Sequence, residues 1–372
     1  MNLVRTGVVG IGVMGSQHAK NLADNVEGSQ LTAVCDARAE RLDWAKETFG
    51  DKVKLFSDYD EMISSGAIDA VMVASAHYDH PRQAIAAFKQ GLHVLIEKPA
   101  GVDTRSVREM NEAALASGKV FGIMYNQRTN GYYAKLRDLV QSGETGKITR
   151  VVWIVTNWFR TQAYYNSGGW RASWAGEGGG ALINQCPHNI DLLQWVCGMP
   201  KRVRGFCSFG KYHDIEVEDD VTAYMEYENG ATGVFITSTG DAPGTNRLEI
   251  TCERGKLVLE DNNKLTWQRT RTPVSEFTRT APDMFAKIET WDVTVPPLPD
   301  GGKHAGIMRN WIEAIRDGKE LIAPGVEGIN GLSISNAIHL SAWTNDWAEI
   351  PVDEERFNNL LQEKIKTSRH KR

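Results

Sequence analysis

The chain has 372 residues, 41% of them hydrophobic and 24% charged, with a formal net charge of −5 at pH 7. That length suits two domains with their own cores, and the slightly acidic balance gives no reason to expect nucleic acid or an acidic membrane surface as a partner. No apolar run approaches the length of a membrane span, no signal-like apolar region precedes the first strand, and five cysteines (Cys35, Cys186, Cys197, Cys207, Cys252) contain no C-x-x-C pair, so reduced thiols in a cytoplasmic protein are expected.

Residues 4–15 read as a buried strand that breaks at Gly10 and re-enters as a helix near Met14. Gly10, Gly12 and Gly15 have the G-x-G-x-x-G spacing. The first glycine permits a tight turn, the second lets a pyrophosphate approach the backbone, and the third lets helix and strand pack closely. The helix N-terminus offers N–H groups and partial positive charge to phosphates, with Val13 and Met14 among the expected cofactor contacts. A second short strand, 31–35, ends at Asp36, about 20 residues past the last glycine, where a ribose-binding carboxylate is expected. The alternative is a βαβ unit that binds nothing.

Strands and helices continue to alternate: an amphipathic helix over 38–49, a buried strand over 68–74, a helix over 81–89 stopped by Gly91, a strand over 92–96, a helix over 104–116 and a strand over 120–124. This series predicts a doubly wound α/β Rossmann domain over residues 1–126, with ligands at the carboxyl ends of the strands. Ser75, His77 and His80 follow one such strand and are read as lining the cofactor cleft, helix capping being the other reading of the histidines. Glu97-Lys98-Pro99 follows another. A lysine there can hydrogen-bond a substrate hydroxyl and stabilise developing alkoxide charge, the ordinary alternative being a surface Lys-Pro turn; a cis bond at Pro99 is a further way to fix the loop.

Beyond a flexible joint at 142–146, strands dominate. Residues 221–239 turn at Glu228-Asn229-Gly230 and residues 247–259 around Arg254-Gly255, which predicts a mostly antiparallel, open sheet. Helices are expected over 187–196, 304–317 and 328–344, making residues 127–372 an α+β domain for substrate binding and oligomerisation. The basic tail, 364–372, is read as a frayed, solvated end. In the run from Gly178 to Asp191, Pro187 suits a first helical turn, and Asn184, His188 and Asp191 are spaced to share one face if the turn is helical. His188 is the candidate acid or base; a polar helix start with a hydrogen-bonded histidine is the plain alternative. Cys186, His188 and Asp191 make a poor metal site, so none is expected. Trp153, Trp158, Trp170, Trp174 and Trp195 crowd one stretch, where sugar stacking competes with core packing. Tyr164, Tyr165 and Arg171 lie in a polar loop suited to a polyol.

Together, Gly10-Ile11-Gly12-Val13-Met14-Gly15, Glu97-Lys98-Pro99, Tyr125-Asn126-Gln127-Arg128 and the glycine-rich run reaching His188 and Asp191 resemble the Gfo/Idh/MocA oxidoreductases over nearly the whole chain. The resemblance implies NAD(P)-dependent oxidation or reduction of a hydroxyl on a sugar, cyclitol or derivative, and homodimers or homotetramers formed through the second domain's sheet. It implies Lys98 as catalytic lysine and His188 as proton shuttle, with Asn126 and Arg171 against substrate or cofactor. Arg38, Ser75, His77, His80 and Glu97 join the expected cofactor contacts. Arg128, Tyr164, Trp170, Arg171 and Asn184 join Lys98 and His188 toward substrate. Asn184 departs from the pattern, because many members have Asp there and Asn cannot accept a proton at neutral pH. Asp36 argues for NAD over NADP, tempered by Arg38. Two other activities compatible with the pattern are a glycoside-processing enzyme that oxidises a ring position transiently with bound NAD, and a nucleotide-sensing regulator without catalysis.

Overall fold

The computed structural model describes residues 3–369. They form two compact units, one reaching Thr129 and resuming over Gly301–Leu332, the other taking Asn130–Asp300 and continuing from Ser333. The first unit opens with β1 (Val4–Val9), α1 (Val13–Asp24), β2 (Ser29–Cys35), α2 (Ala39–Phe49), β3 (Lys54–Phe56), α3 (Tyr59–Ser64), β4 (Ala70–Val73), α4 (Asp79–Lys89), β5 (His93–Ile96), α5 (Thr104–Ser117) and β6 (Phe121–Ile123). Its six strands are parallel, in the order β3-β2-β1-β4-β5-β6. The chain leaves β1 for β2 on one side and returns to β4 on the other, which creates a crevice at the carboxyl ends of β1 and β4. β4 is buried throughout and β1 is buried except at Arg5, as expected where helices cover both faces of a sheet. The expected parallel series is present, with one addition: β3 and α3 are too short and too polar in pattern to stand out in the sequence.

The second unit carries α6 (Gly131–Gln141), β7 (Ile148–Val155), α7 (Gln162–Tyr165), a single π-helical turn (Ala181–Gln185), α8 (Pro187–Cys197), β8 (Arg202–Phe209), β9 (Glu218–Glu226), β10 (Thr232–Ser238), β11 (Asn246–Cys252), β12 (Gly255–Glu260), β13 (Lys264–Thr270), α9 (Val274–Thr280) and β14 (Thr290–Val295). Next in the chain come α10 (Lys303–Asp317), which belongs to the first unit, α11 (Gly328–Thr344), β15 (Ala348–Glu349) and α12 (Glu354–Lys366). Nine strands run in the order β14-β13-β12-β11-β7-β10-β9-β8-β15, and every pair is antiparallel except β7 with β10. Alternate residues of β9, β10 and β11 are buried, the period-2 signature of a sheet covered on one face only. On the covered face Trp153 is fully buried. Its ring meets Tyr133 at 6.1 Å and Phe235 edge-on at 6.2 Å, and its Nε1 donates to Asn246 Oδ1 at 3.1 Å.

Two segments differ from the sequence reading. Residues 301–332, read as part of the second domain, pack with the first unit: Trp311 of α10 is fully buried, and the Ala323 carbonyl accepts from Ile123 N at the end of β6. The expectation of a frayed basic tail is corrected over 364–369. α12 continues through Lys366, Lys364 Nζ stands 5.0 Å from the Trp343 ring centroid, and Glu216 accepts from Ser368 Oγ and Arg369 N. A lysine stem on an apolar aromatic surface gains burial that charge counting along the sequence does not register. Residues 370–372 of that tail lie outside the described residues. No disulfide joins the five cysteines, and among the described residues no helix is long and apolar enough to cross a membrane.

Replacing Trp153 with alanine removes the largest ring of this core together with its hydrogen bond. The expected cost is about 3–5 kcal/mol in denaturant unfolding of the second unit; a loss below about 1 kcal/mol would show that the ring is not central.

Candidate functional site

The turn after β1 is shaped by what glycine lacks. Gly10 has a positive φ of +79°, and a Cβ there would lie 2.7 Å from the Ala74 carbonyl oxygen. A Cβ at Gly15 would lie 1.9 Å from the Gly10 carbonyl oxygen, so helix and strand meet in direct backbone contact. Gly12 is the opposite case: nothing lies within 4 Å of the same position, so the turn is open where a ligand would approach. Side chains of Asp58, Asp103, Asn130 and Asp353 cap α3, α5, α6 and α12, but no side chain caps α1. Val13 and Met14 stand exposed in its first turn, 86% and 41% accessible.

Asp36 is buried at the end of β2, and its Oδ1 accepts from the backbone N and Nε of Arg38 at 3.1 and 3.2 Å. The Arg38 guanidinium, held by this carboxylate, has its pKa raised by the hydrogen bond. Asn126, just past β6, is buried, and its Oδ1 finds no partner among the described residues. An open glycine turn, an uncapped helix end, a carboxylate two residues before a tethered arginine, and an orphan amide oxygen fit a dinucleotide: phosphates against α1, a ribose diol at Asp36, an amide partner for Asn126.

The Glu97-Lys98-Pro99 loop is braced from beneath. His18 Nε2, on the buried face of α1, donates to Glu97 Oε1 at 2.6 Å, while Glu97 Oε2 accepts from Lys98 N at 2.9 Å. The His304 ring of α10 packs 5.7 Å from that of His18, its protonated form disfavoured first by burial. Lys98 is half-buried and the bond to Pro99 is cis. His80 is fully buried between two carbonyl oxygens, with Nδ1 at 2.8 Å from Pro99 O and Nε2 at 3.1 Å from Ser75 O. Neither His77 nor His80 caps α4, whose N-cap is Tyr78. Ser75 Oγ donates to Gln83 Oε1 at 2.5 Å. His18 and His304 belong to no motif legible in the sequence; the one signal for His18 is a histidine on the apolar stripe of α1, three residues past Gly15.

In the second unit, residues 178–191 are not one helix. The π-turn carries Asn184, the chain breaks at Cys186, and α8 starts at Pro187 with His188 in its first turn. Asp191 is buried and accepts from Gln194 Nε2 at 3.0 Å, while Asn184 and His188 are half-buried; His188 and Asp191, three apart in α8, are neighbours on one helix face. The Glu218 carboxylate, itself buried, accepts from Gly180 N and Leu182 N at 2.9 Å and pairs with His339 Nε2 at 3.0 Å, which pins the π-turn to β9. Tyr164 OH accepts from Arg171 Nη1 at 2.9 Å and from Asn184 Nδ2 and Gln185 Nε2 at 3.3 Å each. The Arg171 guanidinium lies 4.6 Å from the ring centroids of both Tyr164 and Trp170. Asn184 Nδ2 also donates to Oε1 of Glu177, a residue the sequence reading did not single out. Burial pushes the Glu177 carboxyl up to about 7 although Ala172 N, Asn184 and Arg171 all favour its charged form.

Arg128, expected to face substrate, is placed elsewhere. Its guanidinium is wholly buried, pairs with Glu327 Oε2 at 2.5 Å and donates to the Ile322 carbonyl at 3.2 Å, so it braces the returning segment of the first unit. Of the crowded tryptophans, Trp153 and Trp174 are core residues; Trp174 stacks edge-on against His339 and Trp343. Trp170 beside Arg171 keeps a partly exposed face.

A six-stranded parallel sheet with an open glycine turn at its switch point defines a dinucleotide-binding protein of the Rossmann class. Residues 4–125 match the oxidoreductase family with an NAD-binding Rossmann fold, and residues 133–258 match the GFO/IDH/MocA C-terminal domain. The chain belongs to this GFO/IDH/MocA oxidoreductase family, and its first unit is the NAD-binding domain of that family. Among relatives, the inositol 2-dehydrogenase of Salmonella typhimurium is 31% identical over 145 residues, 39% of this chain; the chain spans only 43% of that relative's length. The myo-inositol 2-dehydrogenase of Thermotoga maritima is 27% identical over 271 residues, 71% of this chain and 77% of the relative. The WlbA dehydrogenase of Chromobacterium violaceum, solved with NADH and UDP-GlcNAcA, superposes with a TM-score of 0.82 at 26% identity, covering 95% of this chain and 97% of its own.

Burial holds the His80 imidazole below its ordinary pKa. The unfolded chain therefore binds more protons than the folded one below about pH 6.5, and stability rises with pH through that window. Melting temperatures between pH 5 and 7.5 should climb more steeply in the wild type than in His80→Asn; equal slopes would remove His80 from the acid response.

Proposed function

We propose that the protein is an NAD-dependent dehydrogenase acting on a secondary hydroxyl of a cyclitol, sugar or sugar derivative. The observation that carries this reading is the Glu97-bridged loop, which holds Lys98 at the carboxyl end of β5 in the same unit as the open glycine turn. The names of the inositol dehydrogenases and the nucleotide-sugar complex of WlbA support the substrate class. NAD, when bound, supplies the hydride acceptor. His188 takes the hydroxyl proton and Lys98 stabilises the oxygen as charge develops on it. Asn184, Tyr164, Trp170 and Arg171 hold the remaining hydroxyls. Asp36 binds the ribose diol and keeps Arg38 from a 2′-phosphate; Ser75, His77, His80 and Glu97 shape the cofactor's surroundings.

The uncovered face of the second sheet supports a homodimer or homotetramer. Strand register sets Val152, Ile154, Phe206, Tyr224, Val234 and Ile236 side by side on it, all at least partly exposed. A cytoplasmic location agrees with cysteines that form no disulfide.

A screen of cyclitols, hexoses and their keto derivatives, read by absorbance of reduced nicotinamide, tests the reaction; no turnover with any of them would favour the regulator alternative. With an active substrate, Lys98→Ala and His188→Ala should each lower kcat by about 10²-fold or more while NAD still binds. Retained turnover in either variant would remove that residue from the mechanism. Asp36→Ala should weaken NAD and admit NADP, shifting the ratio of kcat/KM values by about tenfold or more, and an unchanged ratio would free Asp36 of the selecting role.

A further inference from the structure

Trp174 and Ala175 present two consecutive backbone N–H groups in a buried stretch that belongs to no helix or strand. A buried donor left without an acceptor is costly, so such groups find partners. Here the partners come from far along the chain. Trp174 N donates to Glu216 Oε1 at 2.7 Å, and Ala175 N donates to Ser368 Oγ at 3.2 Å. Ser368 Oγ in turn donates to the same Glu216 oxygen, and Glu216 Oε2 accepts from Arg369 N at 2.8 Å. Ser368 is only 6% exposed, so its hydroxyl serves the loop rather than solvent.

Trp170 and Arg171 come immediately before this attachment. Arg171 N donates to Gly168 O at 3.1 Å, and its guanidinium to Tyr164 OH. Ala172 follows with a φ of +54°, a left-handed backbone that a residue with a Cβ keeps only where its surroundings hold it. They do: Ala172 N donates to Glu177 Oε2 at 2.6 Å, and its carbonyl accepts from Glu216 N at 3.3 Å. α7, which carries Tyr164, is tied to the same place, since Asp214 N donates to Gln162 Oε1 at 2.9 Å. Residues 214–216 thus join α7, the 170–175 loop and the segment after α12.

We propose that Ser368 and Glu216 are positioning residues for the loop that carries Trp170 and Arg171, so that the segment after α12 sets the affinity for substrate without contacting it. This rests on the reading of Tyr164, Trp170 and Arg171 as substrate contacts. A loop already ordered needs no ordering by substrate; released from Ser368, it occupies the competent arrangement for a smaller fraction of the time, and apparent affinity falls by that fraction. The weight lies on Ser368 and not on the Arg369–Asp214 ion pair, whose side chains are both exposed and which adds little. α12 is anchored independently: Phe357 is buried and stacks on Trp343 at 5.3 Å, and Lys364 stands by the same ring. Loss of one hydroxyl at position 368 therefore loosens the loop and leaves the helix in place.

Two measurements on the full chain decide the matter. The first needs no substrate: hydrogen exchange, read by mass spectrometry, in the wild type, in Ser368→Ala, which removes both Oγ bonds, and in Ser368→Thr, which keeps the hydroxyl. Peptides covering residues 170–178 should exchange about tenfold faster in Ser368→Ala and near the wild-type rate in Ser368→Thr, while those covering β9 and β10 stay the same in all three. The second is steady-state kinetics at saturating NAD with the polyol that turns over fastest in the screen, myo-inositol being the first tried. KM for the polyol should rise about tenfold in Ser368→Ala, with kcat and the dissociation constant of NAD within about twofold of the wild type, and Ser368→Thr should recover most of the loss. Glu216→Ala removes the acceptor shared by Trp174 N, Ser368 Oγ and Arg369 N and should show the same split between KM and kcat. Exchange at 170–178 that ignores Ser368→Ala, acceleration that spreads through β9 and β10, or an unchanged KM in a variant whose loop is loosened overturns the proposal. A loosened loop in Ser368→Ala, with no turnover of any polyol by the wild type, would instead overturn the dehydrogenase reading and leave the hold of Ser368 on the loop standing.

Discussion

Position 15 has room for a hydrogen and nothing larger. The first turn of α1 rests on the Gly10 carbonyl oxygen, and that contact sets where the helix starts, how its open end is aimed and how near the crevice the glycine turn lies. The other parts of the first unit's site follow from it. Because α1 begins so close to β1, His18 on its buried side reaches the end of β5 and fastens Glu97, which in turn holds the Lys98 backbone. The glycine turn and the lysine loop are thus coupled through one helix, and a change that displaced α1 would disturb both. The cost of burying the His18–Glu97 pair is offset by a hydrogen bond at each carboxylate oxygen.

The second unit solves a related problem with a carboxylate where the first uses glycine. Glu218 takes the backbone N–H groups at the start of the π-turn and is itself held by His339, whose ring stacks flat on Trp343 at 5.4 Å. An interior charge is tolerable when each of its oxygens has donors, and here it anchors the turn that aims Asn184. Glu177 accepts from Asn184 on the same turn, and burial pushes its carboxyl up to about 7 while the Glu218 carboxyl is held below the usual carboxylate range.

What the sequence made legible was set by how local each feature is. The glycine spacing, Asp36 and Glu97-Lys98-Pro99 each depend on residues within a few positions of one another, and the parallel strands announce themselves as short apolar runs. The hairpins at Asn229-Gly230 and Arg254-Gly255 are likewise local. The features that escaped depend on contacts across the chain. Arg128 reads as a ligand contact from its motif, but Glu327, 199 residues on, draws it inward. Asn184 and His188 read as one helical face by spacing, but the π-turn that carries Asn184 ends at Cys186 before α8 begins. Glu177 gave a faint signal, a carboxylate abutting three glycines, whose meaning lies in burial.

The proposed dehydrogenase reading puts the pyrophosphate of a dinucleotide at Gly12, in the turn after β1. That residue is the useful probe, because its backbone is extended and a Cβ there meets nothing within 4 Å. Gly12→Leu should therefore fold as the wild type does yet fill the space a pyrophosphate needs. Isothermal titration calorimetry of NAD against both proteins should give one saturable site per chain in the wild type and binding weakened by at least about tenfold in the variant. Equal affinities, or no binding heat in a folded wild type, would contradict it.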